Sequence, residues 1–242
     1  PYLRRAAMMA EVYKAACIAF GQPVQSFDFA YRDKDNNYHE ERDLTPQAFY
    51  QKYVGLSLRD YVAVINEPTA DKPLDTPIQF HAVENMAGRD MKALNLSQAA
   101  LEDLRVKQLK HAQAIWFACD AGAFGARKEG IWDPASVQYE ALLGGFSTDM
   151  PKGKRLEYNS SSATHAMLLT GVHFDKDGQP DRWKIENSWG KDVGDQGYFV
   201  CSEAYFKEFV YEAVIDRRHF SPEQLALLEK EPVVINAWDE DY

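Results

Sequence analysis

One histidine and one asparagine, 22 residues apart, combine the side-chain types and the spacing that a catalytic pair needs. His165 opens the apolar segment HAMLLTGV, and Asn187 lies near the end of the segment RWKIENSW. A short turn joins the two segments, so antiparallel pairing can bring these residues face to face. The carbonyl oxygen of an asparagine can accept the N–H of one imidazole nitrogen, which fixes the tautomer and directs the other nitrogen towards a nucleophile. Trp189, two residues further on, is placed to cover this hydrogen bond and exclude water.

The sequence that follows Asn187 makes this interpretation more specific. Three glycines, Gly190, Gly194 and Gly197, punctuate the loop between Trp189 and the strand-like segment YFVCS. Taken singly, a histidine at a strand start is more often an ordinary surface or core residue, and an asparagine before Ser-Trp-Gly fits plain turn chemistry. The whole string, Thr-His-Ala followed by Glu-Asn-Ser-Trp-Gly and the glycine loop, favours catalysis over those alternatives.

Hydrophobic periodicity and helix caps predict the elements that position this pair. From His165 onward the pattern is that of an antiparallel meander with short turns. Helices are expected where apolar residues recur at helical spacing after a capping residue, and strands where they alternate or form short runs. The predicted helices span residues 2–20, 46–55, 98–112 and a C-terminal segment that begins with the capping box at Ser221. The predicted strands are a hairpin at 24–33 and 37–44, single strands at 60–66 and 114–120, the three meander strands and, after a short helix, a strand at 212–220, with loops at 67–77 and 121–136.

A mainly helical first half and a strand-rich second half predict an α+β fold. Residues 1–112 are expected to form a mainly helical insertion with a β-hairpin. Residues 113–220 are expected to form a β-rich subdomain that carries His165 and Asn187, and residues 221–242 a C-terminal helix and a tail.

Composition argues against several other functions. A formal net charge of -10 disfavours nucleic-acid binding, because proteins that bind phosphate backbones present clustered Lys and Arg. No run of about 18 apolar residues is present, so a membrane-spanning helix is not expected. The three cysteines, Cys17, Cys119 and Cys201, are odd in number and widely spaced, which favours a reduced, cytoplasmic protein. Histidines and cysteines show no metal-ligand spacing, so neither a metal nor another cofactor is expected.

The motif NSWG followed by GYF, with an upstream histidine that opens an apolar strand, resembles the papain superfamily of cysteine peptidases. The finer resemblance is to the family of bleomycin hydrolase and bacterial aminopeptidase C. Val193 and Gly194 stand where most papain-like sequences repeat Trp-Gly, as this family tolerates. The resemblance extends over most of residues 100–239, and more loosely over the first hundred, through the segments IWFACDAG, LEYNSSSATHAMLLTGV, FVYEAVIDRRHF and EPVVINAWD.

The resemblance implies a papain-like fold in which three residues share the catalytic work of this part of the chain. His165 is then the general base, Asn187 its orienting partner and Trp189 the shield of their hydrogen bond. It further implies peptide substrates and a ring-shaped homohexamer whose sites face an inner cavity.

The nucleophile of such an enzyme is a cysteine at the start of a helix, with an upstream glutamine that stabilises the oxyanion. That segment is absent from the sequence. Cys17 precedes His165 by 148 residues, as in simple papain-like chains, but it lies in the last turn of its predicted helix, where the helix dipole raises a thiol pKa. Cys119 and Cys201 are predicted to be buried structural residues, and the serines at 160–162 a loop. We therefore expect this chain to be the C-terminal portion of a longer enzyme, inactive alone, with the cysteine on its partner, the N-terminal portion.

The tail AWDEDY bears on specificity. In the family that the sequence resembles, a C-terminal arm reaches into the cleft and its carboxylate meets the amino group of the substrate, so Asp239 and the terminal Tyr242 are predicted to bind substrate. This favours an aminopeptidase. Because the tail is shorter and less apolar than the resemblance implies, an endopeptidase of the same family is the alternative. A non-catalytic peptide-binding pseudo-protease, and last an inhibitory or scaffold fragment, are further alternatives, against which the presence of both His165 and Asn187 argues.

Overall fold

The computed structural model describes residues 2–81, 90–145, 147 and 149–236. The chain divides into two compact units, Pro1–Leu58 and Arg59–Tyr242. The predicted boundaries after residues 112 and 220 stay predictions. His165 and Asn187 both lie in the second unit.

The first unit contains a helix, a β-hairpin and a second helical segment. Its elements are α1 (Tyr2–Phe20), β1 (Phe27–Arg32), β2 (Tyr38–Leu44) and α2 (Pro46–Phe49). Helix α1 ends where Gly21 adopts a φ of 84°. Thr45 caps α2 through its side chain, and one π-helical turn continues the chain to Gly55. The helix at 2–20, the hairpin and the helical segment that ends at Gly55 are therefore confirmed.

Aromatic side chains hold the hairpin against α2 within this unit. Alternate residues of a strand point to one side, which places Phe27, Phe29 and Tyr31 in a row. The Phe29 ring centroid lies 4.9 Å from that of Phe49 and 5.1 Å from that of Tyr53. This edge-to-face packing makes a small apolar cluster that belongs to the first unit alone.

The second unit is built on one sheet to which eleven strands of the described residues belong. In chain order the strands are β3 (Tyr61–Ile65), β4 (Thr76–His81), β5 (Met91–Asn95), β6 (Ile115–Cys119), β7 (Gly125–Ala126), β8 (Ile131–Trp132), β9 (His165–Phe174), β10 (Pro180–Glu186), β11 (Tyr198–Ser202), β12 (Val210–Asp216) and β13 (Val233–Asn236). Across the sheet they follow the order β13-β4-β5-β3-β12-β6-β9-β10-β11-β8-β7. The helices of this unit are α3 (Gln98–Lys110), α4 (Tyr139–Leu142), α5 (Lys152–Glu157), α6 (Glu203–Phe209) and α7 (Pro222–Leu227).

The main core lies between one face of this sheet and helices α3 and α6. Alternate residues of the central strands and the apolar sides of both helices are buried there, including Phe117, Met167, Leu169, Trp183, Ile185, Phe199, Leu101, Leu104 and Phe206. Burying a side chain of this size contributes about 1.5–3 kcal/mol. The core therefore fixes the strands from whose ends His165 and Asn187 project.

Strands β9 and β10 form the hairpin that carries this pair, and their register shifts twice, between Pro180 and Arg182 and again between Lys184 and Ile185. The second shift lies nearer to the pair. Lys184 pairs with Gly171, whereas the next residue, Ile185, pairs with Leu169. Thr170 is therefore an extra residue on β9, which is the definition of a β-bulge. The Thr170 hydroxyl donates a hydrogen bond of 3.3 Å to the Lys184 carbonyl oxygen.

Helix α5 is anchored to the sheet by a buried lysine. Lys152 is 8% exposed, and its Nζ donates hydrogen bonds to Asn66 Oδ1 at 2.8 Å and to the Val210 carbonyl oxygen at 2.6 Å. The first acceptor follows β3 and the second begins β12. One amine thus ties α5 to two neighbouring strands.

The sequence patterns do not predict β4, β5, β13 or the short helices α4 and α5. These strands have four to six residues each, and short apolar runs carry little periodicity. The predicted loop at 67–77 is too long at its C-terminal end, because β4 already begins at Thr76. The predicted loop at 121–136 also contains the two-residue strands β7 and β8.

The predicted strand at 212–220 is too long. Strand β12 ends at Asp216, whose carboxylate accepts the Arg218 amide hydrogen and begins a 3₁₀ turn. The meander strands, the helix after Ser97 and the capping box at Ser221 are confirmed. Among the described residues, no helix has the length and hydropathy needed to cross a membrane.

Candidate active site

His165 is the first residue of β9, and its backbone is held on the side of β6. It stands opposite Cys119 in the antiparallel register. The preceding residue, Thr164, donates its amide hydrogen to the Cys119 carbonyl oxygen at 2.9 Å. The Thr164 hydroxyl oxygen accepts the Ala121 amide hydrogen at 3.2 Å. These two bonds fix the direction in which the chain enters β9, so the imidazole projects from a defined strand end.

Asn187 follows the last residue of β10 and meets His165, as predicted. The His165 Nε2 and Asn187 Oδ1 atoms are 2.9 Å apart. Asn187 Oδ1 also accepts the Ser188 amide hydrogen at 2.7 Å, which identifies this atom as the oxygen of the amide. A carbonyl oxygen only accepts, so Nε2 carries the hydrogen and Nδ1 of the neutral imidazole is left to accept a proton. The asparagine therefore sets the tautomer that a general base requires.

Trp189, the predicted shield of this hydrogen bond, lies against the imidazole. The ring centroids of Trp189 and His165 are 4.9 Å apart, with an interplanar angle of 21°. Trp132 and Phe199 pack on the indole at centroid distances of 5.9 Å and 5.6 Å. The Arg127 guanidinium carbon lies 4.5 Å from the indole centroid. The indole therefore covers one face of the imidazole.

Two glycines allow the loop after Trp189 to pack closely on a neighbouring turn. Gly194 has a φ of 60°, and a Cβ atom there would lie 2.4 Å from the Tyr198 carbonyl oxygen. Gly130, between β7 and β8, has a φ of 72°, and its Cβ would lie 2.6 Å from the Gly194 Cα. Both positions combine a left-handed backbone with no room for a side chain. This explains the glycine at position 194 of the loop and the glycine at position 130 of the turn.

Neither cysteine of the second unit has the properties of a nucleophile. Cys119 and Cys201 are both 0% exposed. Burial raises the pKa of Cys119 to about 12 and holds the pKa of Cys201 well above its usual range. A thiol, unlike a thiolate, is a poor nucleophile. Cys17 lies in the last turn of α1 in the first unit, where its carbonyl oxygen accepts the Gly21 amide hydrogen. Within the described part of the chain, no hydrogen bond reaches Nδ1 of His165.

Sequence reasoning missed a chain of polar side chains beside the histidine. The Tyr211 hydroxyl donates to Ser161 Oγ at 2.6 Å, and Ser161 Oγ donates to Asp120 Oδ2 at 2.7 Å. Burial raises the pKa of Tyr211 to about 12, so the phenol stays a donor at neutral pH. Ser161 is 6% exposed and belongs to the loop that leads into His165. Three consecutive serines gave no signal to single out the middle one.

Asp239 and Tyr242, the predicted substrate-binding residues, lie outside the described residues. The last described element is β13, which pairs in parallel with β4 and ends at Asn236. The described residues contain no group of three or more His, Cys, Asp or Glu side chains arranged to hold a metal ion.

Comparison with known proteins identifies the family. A model described as the Peptidase C1-like family matches residues 2–240. The chain belongs to this family. Aminopeptidase C of Streptococcus thermophilus is 42% identical to this Peptidase C1-like chain over 230 residues, which cover 95% of the chain and 52% of that protein. Human bleomycin hydrolase is 36% identical over 238 residues, which cover 96% of the chain and 52% of that protein.

A solved structure shows the same fold. The crystal structure of PepW from Lactobacillus rhamnosis HN001 matches this Peptidase C1-like chain with a TM-score of 0.90 at 42% identity, over 97% of the chain and 53% of PepW. The resemblance stated from the sequence and the papain-like α+β fold are therefore confirmed. The chain spans about half the length of the curated relatives it matches.

Proposed function

We propose that this chain is the base-bearing half of a cysteine aminopeptidase. The proposal depends chiefly on the 2.9 Å contact between His165 Nε2 and Asn187 Oδ1 beneath the ring of Trp189. The family is one of cysteine peptidases. Proteins named Aminopeptidase C and Bleomycin hydrolase match the chain over almost its whole length, which supports peptides as substrates.

In the proposed reaction His165 moves one proton at a time through Nδ1. It takes the proton of a cysteine thiol, and the thiolate attacks the carbonyl carbon of the first peptide bond. The imidazolium then protonates the leaving amine as the C–N bond breaks, which leaves a thioester. A water molecule loses its proton to Nδ1 and attacks the thioester, and the departing sulfur regains a proton from the same ring.

The neighbours of His165 act on its charged state. Asn187 Oδ1 accepts the Nε2 hydrogen in both protonation states, so the ring does not turn when Nδ1 gains or loses its proton. Trp189 offers the imidazolium an aromatic face. Both contacts hold the ring in one orientation, so that Nδ1 stays directed at the thiol while it gains and loses its proton.

We propose further that the nucleophilic thiol lies outside this chain. It would belong to a polypeptide segment that corresponds to the half of each relative not matched by this chain. The buried thiols of Cys119 and Cys201 are held protonated, and Cys17 sits at the negative end of a helix dipole. We therefore expect the 242-residue chain to be inactive by itself.

The proposed preference for the first peptide bond depends on the acidic end of the chain. In this proposal the carboxylate of Asp239 attracts a substrate ammonium, and Asp239 and Tyr242 together disfavour substrates without one. Removing residues 239–242 from the complete enzyme should equalise the hydrolysis of amino-blocked and free peptides. An unchanged preference would reject the role of the tail and leave endopeptidase action as the alternative.

The experiment that tests the function combines mass and activity. Intact mass is measured under denaturing conditions before and after iodoacetamide at mildly acidic pH. We expect one fast-reacting thiol, carried either by additional sequence of the same polypeptide or by a second polypeptide. We also expect thiol-dependent hydrolysis of aminoacyl amides. Slow thiols only, with no hydrolysis, would instead indicate a peptide-binding pseudo-enzyme.

Two variants sharpen this test. His165→Ala in the complete enzyme should abolish turnover. His173→Ala is the matched control, because this exposed histidine lies on the same strand and contacts Asp181 rather than the site. Equal activity of both variants would reject the assignment of the base. The cytoplasmic location and the ring-shaped hexamer stay predictions, the latter to be tested by light scattering.

A further inference from the structure

Arg127 places a positive charge beside the proposed base, and no step of the proposed mechanism uses it. Its guanidinium carbon lies 4.5 Å from the centroid of Trp189, which in turn lies 4.9 Å from that of His165. The guanidinium is therefore within about 10 Å of the imidazole, which is about the Debye length in 0.1 M salt. At this distance the positive charge of Arg127 interacts electrostatically with an ion bound beside the imidazole.

The backbone under this arginine is held in place. Arg127 begins the turn between β7 and β8, which the Gly130 amide closes by donating to the Ala126 carbonyl oxygen at 2.9 Å. The next residue, Lys128, accepts the Gly194 amide hydrogen at 3.2 Å through its carbonyl oxygen, which ties the turn to the glycine loop. These backbone hydrogen bonds fix the position from which the Arg127 side chain extends.

Among the described residues, no carboxylate neutralises the Arg127 guanidinium. Arg127 is exposed, and it forms no ion pair with another described residue. The guanidinium contacts the aromatic ring of Trp189, and this contact does not involve a carboxylate. The fork of N–H groups that matches a carboxylate is therefore available to a ligand.

The proposed chemistry at His165 indicates which carboxylate of the substrate could reach this guanidinium. The leaving amine must approach Nδ1 of His165 to within about 3 Å to receive its proton. The α-carboxyl carbon of the departing residue is two bonds from that amine. In a dipeptide this carboxyl group is a free anion, whereas in a longer peptide it is a neutral amide.

From this arrangement we infer that Arg127 binds the free α-carboxylate of the leaving residue and so favours dipeptide substrates. The inference rests on the proposed function and adds to it the substrate length. Removal of the positive charge should selectively weaken the hydrolysis of substrates whose leaving residue ends in a carboxylate. Because the arginine is exposed, the expected selectivity is about two- to five-fold.

The test compares three substrates on the complete enzyme, which contains both this chain and the thiol-bearing part. Leu-Gly has a free leaving carboxylate, Leu-Gly amide does not, and leucyl aminomethylcoumarin has an uncharged aromatic leaving group. The Arg127→Gln variant should lower kcat/KM for Leu-Gly about two- to five-fold relative to the other two substrates. Arg127→Lys should retain most of the preference, and about 0.5 M salt should abolish it in the unchanged enzyme.

Lys128→Gln is the matched control, since it removes a neighbouring charge of the same turn that does not contact Trp189 and should leave the ratio of the three rates unchanged. If Arg127→Gln lowers all three rates equally, the arginine only supports the indole and the inference is wrong. If it changes none of them, the inference is wrong as well. Absence of thiol-dependent hydrolysis of all three substrates by the unchanged enzyme would overturn the proposed function together with the inference, so the two failures are distinguishable.

Discussion

Replacement of Lys152 with methionine should remove a pH dependence that one buried amine gives to folding. The Nζ atom donates hydrogen bonds to Asn66 Oδ1 and to the Val210 carbonyl oxygen. A neutral amine has two N–H groups, so these two acceptors satisfy it without a positive charge. Burial, and after it the positive charge of Arg105, lowers the pKa of Lys152 from 10.5 to about 7.

The magnitude follows from proton linkage. Between about pH 7 and pH 10.5 the unfolded chain binds the proton that the folded Lys152 has released, so stability rises with pH across this window and is lowest below it. At about 1.4 kcal/mol for each pKa unit, the cost to folding is about 5 kcal/mol at pH 6 and about 2 kcal/mol at pH 9. The free energy of unfolding should therefore rise by about 2.5 kcal/mol from pH 6 to pH 9, relative to Lys152→Met.

Urea unfolding at pH 6, 7.5 and 9 and constant ionic strength, followed by tryptophan fluorescence, measures this difference. Lys154→Met is the matched control, because Lys154 lies on the same helix but is exposed and pairs with Glu157 at the surface. Its effect on stability should be the same at all three pH values. If the stability difference between the unchanged protein and Lys152→Met were also constant with pH, the amine would be charged in the folded protein and the reasoning would fail.

Three further changes test the site and its support. Asn187→Ala should lower kcat of the complete enzyme about 10- to 100-fold, because it removes a hydrogen bond to the imidazolium of His165 worth about 1.5–3 kcal/mol; steady-state kinetics on a free aminoacyl amide measure it. Ser161→Ala should reduce the free energy of unfolding by about 1–3 kcal/mol, because it leaves a buried phenol and a carboxylate without their partner; urea unfolding measures it. Gly130→Ala should cost about 1–3 kcal/mol more than Gly178→Ala, because both have a positive φ but only the former meets another backbone; thermal unfolding compares them.

Each of these predictions has a result that contradicts it. A kcat for Asn187→Ala within two-fold of the parent would mean that the ring is oriented by other contacts. Ser160→Ala is the control for Ser161→Ala, because the hydrogen bonds of the Ser160 hydroxyl are exposed. Equal losses of unfolding free energy in the two variants would contradict the bridging role of Ser161. Equal destabilisation by the two glycine substitutions would show that the turn and the loop can move apart.

The contact between His165 and Asn187 was predictable because both residues lie within one hairpin. A short turn between two apolar segments is enough to bring His165 and Asn187 together, and each segment shows its own pattern. The helix caps at Thr45, Ser97 and Ser221 were predictable for the same reason, since each bond of a cap spans only a few residues.

The features that could not be predicted depend on contacts between distant parts of the chain. The parallel pairing of β13 with β4 joins segments about 150 residues apart, and neither strand has a distinctive pattern of its own. The chain from Tyr211 through Ser161 to Asp120 draws one residue from each of three separate segments. The burial of Lys152 likewise contradicts the usual preference of lysine for solvent and becomes intelligible only once its two acceptors are known.

The bulge at Thr170 decides on which side of the sheet the histidine appears. Along β10, the buried side continues without interruption through Trp183 and Ile185 towards Asn187. With the register of Lys184 and Gly171 extended unchanged, Asn187 would stand opposite Leu168, whose side chain is 39% exposed and points away from the core. The extra residue moves the pairing by one position and returns the histidine to the side of the asparagine.

The number of residues at this point is consequently as important to the contact between His165 and Asn187 as the identity of the two side chains. Loss of a single residue at the bulge should separate the imidazole from the amide although neither is altered, whereas the same loss in the turn at 175–179 should be tolerated. Activity of the complete enzyme and the imidazole NMR signals of His165 would distinguish the two deletions, and equal effects would show that the strand can adjust its register. The position of a deletion in this hairpin, at the bulge or in the turn, is thus expected to decide whether the contact between His165 and Asn187 survives.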